Sequence, residues 1–368
     1  MGKSCQRAAI RIGDQIVLFQ FKMPNLTDKN GGDDHKMAEI FITRRVFRDA
    51  IDILKKERHT IDINDSDRIL SVRELVKRAH GKAGLICLLN DRIDSVVMDK
   101  LPSLKVISNI AVGYDNIDIA AATHRGIMVT NTPDVLTETT ADLAFALLLG
   151  TARRIPEADQ FIRAGKFKNW QLMQPQMGVD IYKKTLGIVG MGAIGQAVAK
   201  RARKGFDMRV IYYSSSIKDS VEKEVEAEFV EFDELLAMSD FISIHVPLTE
   251  KTKHMFSIQE FRKMKNTAIL INTSRGPVVD ETGLVEAIKD GQIRGAALDV
   301  FEEEPSVHPE LIKMEENVVL APHIGSASIE TRLRMAKMAA RNMVQGLKGN
   351  RPPNLVNEKI DFRKETDT

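Results

Sequence analysis

Short apolar runs recur along most of the chain, and stretches with helical spacing of apolar residues separate them. An early set of runs falls at 39–43, 84–89 and 104–108, with helices expected at 50–57, 72–79 and 93–101. A later set falls at 185–189, 209–213, 241–245, 268–272, 295–300 and 318–320, again with helices between. Uninterrupted apolar strands that alternate with helices signal parallel sheets covered on both faces. The pattern therefore predicts an α/β protein with two doubly wound parallel-sheet domains. Between the two sets, Asn131-Thr132-Pro133-Asp134 is a breaker cluster and the expected hinge. A long helix is predicted over 137–154. Another over 329–348 is expected to return the chain to the first domain. Residues 155–184 carry the only tryptophan, Trp170, with little periodicity, and are expected to form a lid or an interface.

The domain limits that follow are 1–37 for a flexible N-terminal extension, 38–134 with 325–357 for one domain, 135–324 for the other, and 358–368 for a tail. The extension holds one apolar run, 15–21, followed by a polar, turn-rich stretch, and its removal is expected to leave activity intact.

Composition narrows the partners. The 53 basic residues nearly balance 51 acidic ones, which argues against nucleic acid or a membrane surface as the main partner. Two cysteines, Cys5 and Cys87, give neither a disulfide framework nor metal-ligand spacing. No run reaches the length of a membrane span, so a cytoplasmic protein is expected.

One motif organises the later set. The strand 185–189 runs into Gly190-Met191-Gly192-Ala193-Ile194-Gly195, a G-x-G-x-x-G that opens a helix over 194–204. Gly190 permits a sharp turn, Gly192 a close approach of backbone to a pyrophosphate, and Gly195 close packing of helix on strand. The helix start then aims N–H groups and a positive dipole end at phosphates. In such folds an acidic residue about 20 positions on bonds the adenine ribose. Here that slot holds Ser214, followed by Ser215, Ser216 and, two further on, Lys218. Three hydroxyls and an ammonium suit a ribose 2′-phosphate, so NADP is favoured, with NAD or dual use left open.

Three charged groups follow strands of the same set: Arg275 in Thr273-Ser274-Arg275-Gly276, the acidic run Glu302-Glu303-Glu304 before Pro305, and His323 after 318–320. An arginine grips a carboxylate and polarises the neighbouring carbonyl, and a histidine exchanges a proton with the forming alkoxide. A carboxylate beside the histidine orients its ring. The combination suits hydride transfer to a small 2-keto acid. In the early set, the glycine turn 111–116 follows a strand end, where α/β folds place ligands.

These segments, with 112–118, 246–249, 272–276, 298–305 and 322–325 in order, resemble the D-isomer-specific 2-hydroxyacid dehydrogenase family over about 38–357. The likeness is greatest to its glyoxylate/hydroxypyruvate reductases of archaeal type. It implies a flavodoxin-like substrate domain and a Rossmann dinucleotide domain. It implies that Arg275 binds and polarises substrate, that Glu304, rather than Glu302 or Glu303, pairs with the histidine, and that His323 is the acid/base. Amides of Val112 and Gly113 would take the substrate carboxylate, with Leu89 nearby. Asp299 would lie near the nicotinamide carboxamide. Val246, Pro247, Thr252, Thr273, Ser274, Arg275, His323 and Gly325 would complete the cofactor site. Relatives form homodimers, with the Trp170 segment contributing. Two departures touch the phosphate site: Ala193 stands where such reductases usually carry arginine, and Ser214-Ser215-Ser216 where they often carry Ser-Arg-Thr. Competing readings are a dinucleotide-sensing corepressor-like scaffold and a D-lactate- or phosphoglycerate-type dehydrogenase.

Overall fold

A computed structural model describes residues 7–12, 15–20 and 37–360. The described part of the N-terminal segment is an antiparallel hairpin, β1 (Arg7–Ile12) and β2 (Gln15–Gln20), with Arg7 opposite Gln20 and Ile12 opposite Gln15. The expectation of a flexible extension over 1–37 otherwise concerns residues outside the described ones, as does the tail from 361 onward.

From Met37 onward the chain builds two parallel sheets. The first comprises β3 (Glu39–Ile42), β4 (Thr60–Ile63), β5 (Gly84–Cys87), β6 (Val106–Asn109) and β7 (Met128–Thr130), in the order β4-β3-β5-β6-β7. The second comprises β8 (Thr185–Val189), β9 (Arg209–Tyr213), β10 (Glu228–Phe229), β11 (Phe241–Ile244), β12 (Ile269–Asn272), β13 (Gly295–Leu298) and β14 (Val318–Leu320), in the order β10-β9-β8-β11-β12-β13-β14. Both orders are those of doubly wound sheets, flavodoxin-like and Rossmann respectively. Central strands β5, β6, β11 and β12 are buried throughout, as their mostly apolar residues require.

Edge strands were less visible in the sequence. The residues of β4, Thr-Ile-Asp-Ile, alternate and are only half-covered, and β10 has two residues. Neither reads as an apolar run. The segment 155–184, expected to be irregular, starts with a helix, Ile155–Arg163, that buries none of its residues. Its apolar positions Ile155 and Ile162 face solvent, so no core contact reveals it.

Two helices connect the sheets. Thr137–Ala152 is apolar on nearly every side because Ala141, Ala144, Phe145 and Leu148 are all buried, packed over β12 and β13. Ile329–Leu347 returns to the five-stranded sheet, where small residues allow a close approach. Its Ala339 carbonyl accepts the buried Ser108 hydroxyl at 2.9 Å. No helix among the described residues is long and apolar enough to cross a membrane.

Candidate active site

In the seven-stranded sheet the order reverses between β8 and β11, and the glycine turn leaves the end of β8. Gly190 sits at φ +100°, and a Cβ there would lie 2.7 Å from the His245 carbonyl. A Cβ on Gly195 would lie 2.2 Å from the Gly190 carbonyl oxygen, so helix and strand touch only because it is absent. Around Gly192 the opposite holds: a Cβ would meet nothing within 4 Å. Gly192 caps the helix Ala193–Phe206 without a side-chain bond, which leaves first-turn N–H groups facing open space. Met191 is buried beneath the turn, whereas Ala193 is exposed and Ile194 half-buried. Nearby, the buried Thr273 hydroxyl has no hydrogen-bond partner among the described residues. An open, donor-lined cradle with an unsatisfied hydroxyl fits a dinucleotide.

The serine loop at the end of β9 is tied back by a phenol. Tyr212 Oη accepts the Lys218 N–H and donates to Glu222 Oε1, both at 2.8 Å. Burial raises that phenol's pKa above its ordinary value. Ser214 is half-buried, and Ser215 and Ser216 are exposed. After β11, Thr252 closes a tight turn by donating to the Pro247 carbonyl at 2.6 Å, next to the half-buried Val246.

The charged groups stand on loops after adjacent strands. In register, Asn272, Leu298 and Leu320 end β12, β13 and β14 side by side. Arg275, Glu304 and His323 follow them. Asn272 shapes the first loop, accepting from both N–H and hydroxyl of Ser274 and donating to the Arg275 carbonyl. His323 Nδ1 lies 2.8 Å from Glu304 Oε2, and Glu304 Oε1 accepts the Phe301 N–H at 3.1 Å. Glu304 is therefore the histidine's partner, and it engages Nδ1 rather than Nε2. His323 itself is held at φ +53°, an uncommon conformation for a side-chain-bearing residue. Asp299 maintains it. Its buried carboxylate accepts N–H groups of Ile324 and Gly325 at 2.7 and 2.8 Å, and its carbonyl accepts that of His323 at 2.9 Å. Burial lifts the Asp299 carboxyl above its usual range. Only its remaining lone pairs are left for a ligand. Gly325 is locked from the other side, where its carbonyl accepts the Thr140 hydroxyl at 3.1 Å.

The five-stranded sheet contributes a loop of a different kind. Asn109 donates to the Gly113 carbonyl, Asn131 to the Val112 carbonyl, and Asn116 to carbonyls of Leu88 and Asp91. None of the hydrogen bonds among the described residues uses the N–H of Val112 or Gly113. The Gly113 backbone packs against Arg275, whose Nη2 lies 1.7 Å from where a Gly113 Cβ would stand. The Arg275 Nε also pairs with Asp115 at 3.1 Å. Arginine from one sheet and amides from the other thus share one spot. Leu89 lines a cavity of about 410 Å3 with Asn90, Asn116 and Asp115, the last of which is the partner of Arg275.

The asparagine ties and the Arg275–Asp115 pair were not legible as such in the sequence. The only signal was an asparagine at a strand end, at Asn109 and Asn272. Among the described residues no cluster could hold a metal ion.

Two parallel sheets of these orders, a dinucleotide cradle and a His–Glu pair with an arginine define a two-domain oxidoreductase. Residues 145–325 match the family model for the D-isomer specific 2-hydroxyacid dehydrogenase NAD-binding domain. A glyoxylate reductase of Korarchaeum cryptofilum is 50% identical over 322 residues, 87% of this chain and 96% of that protein. A glyoxylate reductase of Thermococcus litoralis is 51% identical over 325 residues, 88% and 97% of the two chains. Among solved structures, an NADPH-dependent glyoxylate/hydroxypyruvate reductase of Sinorhizobium meliloti, bound to NADP and malonate, superimposes with a TM-score of 0.78. It is 29% identical and the match covers 88% of this chain and 98% of that one. The chain belongs to the D-isomer specific 2-hydroxyacid dehydrogenase family. It is an oxidoreductase with a dinucleotide-binding domain.

Proposed function

We propose that this protein reduces a small 2-keto acid, glyoxylate or hydroxypyruvate, to the D-2-hydroxy acid with NADPH or NADH. The observation that carries the reading is the meeting of Arg275 with the Gly113 loop, beside strand ends that present a glutamate-held His323. Residues 38–134 with 325–357 form the substrate domain, and 135–324 the dinucleotide domain.

The helix start at Gly192 and Ala193, with Gly190, Met191, Ile194 and Gly195, holds the pyrophosphate. Ser214 to Ser216 and Lys218 receive the adenosine end, and NADP is preferred there because no carboxylate opposes a 2′-phosphate. Val246, Pro247, Thr252, Thr273, Ser274, Asp299 and Gly325 line the rest. When bound, a reduced nicotinamide supplies a hydride to the keto carbon. The chain's own residues do the remainder. N–H groups of Val112 and Gly113 hold the substrate carboxylate beside Leu89, and the guanidinium of Arg275 clamps it and polarises the carbonyl oxygen. His323 gives that oxygen a proton through Nε2, while Glu304 fixes the ring and stabilises its charged form. Asp115 balances Arg275 until a substrate carboxylate arrives.

Exposed Ile155, Ile162, Trp170, Leu172 and Met173 cluster on one segment, which supports a homodimer formed through 155–184. A monomeric mass at micromolar concentration contradicts that assembly. The cytoplasm is the compartment this cofactor and reaction suit. The function is tested by following NADPH and NADH absorbance with purified protein against a panel of 2-keto acids. Fastest turnover on glyoxylate or hydroxypyruvate supports it. Cofactor binding without turnover on any keto acid favours a sensing scaffold instead.

A further inference from the structure

Glu304 is not the only carboxylate that its loop offers to a histidine. Two residues earlier, Glu302 Oε1 lies 2.5 Å from Nε2 of His254. Its Oε2 accepts the N–H of Glu281 at 2.9 Å, and Glu281 Oε1 accepts the N–H of Glu302 at 2.9 Å. These reciprocal bonds fasten the loop after β13 to the start of the helix Glu281–Lys289. Glu281 is buried there. An exposed imidazole thus closes a network rooted in the core.

The backbone of His254 reaches the other half of the site. At φ +49°, its N–H donates to the Pro277 carbonyl at 2.8 Å, and Phe256 N–H donates to that of Val278 at 3.1 Å. Residues Gly276–Val278 form the turn directly after Arg275. That turn presses on the Glu304 loop: a Cβ on Gly276 would lie 1.9 Å from the Phe301 carbonyl. Phe301 is the residue whose N–H grips Glu304. His254 therefore holds the Arg275 turn by its backbone and the Glu304 loop by its ring.

We propose that His254 and Glu302 are positioning residues for the reduction, a brace that fixes the Arg275 turn against the loop carrying Glu304. The proposal rests on the roles given above to Arg275, Glu304 and His323. Neither member of the pair needs to touch substrate. A small misplacement of a clamp or an acid costs rate out of proportion to the distance moved. Either protonation state of His254 keeps an Nε2–H donor available to Glu302.

The test compares Glu302→Ala, Glu302→Gln and His254→Ala with the parent. Three quantities are read: kcat and KM separately for glyoxylate with NADPH, the downfield proton resonance of His323 Nδ1–H without ligands, and the thermal midpoint. Glu302→Ala is expected to lower kcat/KM by about 10- to 100-fold, with KM raised through Arg275 and kcat lowered through Glu304. It is also expected to broaden or lose the His323 signal. Glu302→Gln keeps an acceptor for Glu281 N–H, and its NH2 donates to Nε2 when the neutral His254 ring carries its proton on Nδ1, so it should stay within about threefold of the parent. His254→Ala, which removes an exposed ring, should fold and show the same changes at about a tenth of the parental kcat/KM. Parental kinetics and an unchanged His323 signal in the alanine variants overturn the brace, whatever their thermal midpoints. So does a glutamine variant as impaired as the alanine one. If Glu302→Ala does not fold, His254→Ala decides. If the parent reduces no keto acid, the functional reading fails while the His323 resonance still judges the brace.

Discussion

The two sheets share a design and divide the work unequally. At the carboxyl edge of the seven-stranded sheet, the loops carry ionisable side chains: Arg275, Glu304 and His323 follow three neighbouring strands. At the same edge of the five-stranded sheet, the loop at 111–118 presents backbone. Its carbonyls are tied down by asparagines, and its Val112 and Gly113 N–H groups are left to the cleft. The one charged side chain of that loop to reach the arginine, Asp115, balances it. A small carboxylate is thus recognised by fixed amides from one lobe, while charge and proton transfer come from the other. Preorganised donors need no rearrangement at the moment of reaction.

That division can be broken from either side. The largest effect is expected on the side-chain half. Arg275→Ala should cut kcat/KM for glyoxylate by roughly 10²–10³, with NADPH affinity measured by fluorescence largely kept. On the backbone half, Gly113→Ala forces a methyl group into the Arg275 guanidinium, since the Cβ would stand 1.7 Å from Nη2. It should raise KM by about 10- to 100-fold, more than it lowers kcat. A fall confined to kcat would show that the loop does not hold the substrate carboxylate.

Cofactor choice belongs to the seven-stranded sheet alone. Ser214→Asp should weaken NADPH binding by about tenfold relative to NADH, with KM for the keto acid unmoved. An unchanged ratio of the two dissociation constants removes the serine loop from cofactor selection.

The smallest effect concerns stability. Burial pushes His245, at the end of β11 against the glycine turn, down to about 4 from 6.5. The unfolded chain therefore takes up this proton first as pH falls, and stability is lost between about 6.5 and 4. The residue as a whole is half-buried rather than fully enclosed, so the loss should be about 1–2 kcal/mol. Thermal midpoints across that range should fall less in His245→Gln than in the parent. An equal fall in both would assign the acid sensitivity to other groups.

The same division governs what the sequence could disclose. Strands β8 and β9 and the helix Val72–Ala79 match their expected limits, because a largely buried run or a strong helical period marks each. Edge strands β4 and β10 carry no such mark, being half-covered or two residues long. The G-x-G-x-x-G turn and the charged residues were visible because side-chain identity announces their chemistry. A site made of backbone is announced only by a glycine and leaves no trace of which amides stay free. Pairings across 160 residues, such as Arg275 with Asp115, need the fold to exist first. The same holds for Glu302 with His254: the acidic run shows the glutamate, and nothing in it points to a histidine 48 residues away. Asp299 was expected to face the cofactor, and its two amide bonds show it also shaping the His323 turn.

The most direct test replaces His323 by asparagine and measures, in one preparation, NADPH binding by fluorescence and NADPH consumption with glyoxylate. The account predicts binding within a few-fold of the parent and turnover reduced by about 10²–10⁴. Parental turnover in that variant would contradict it.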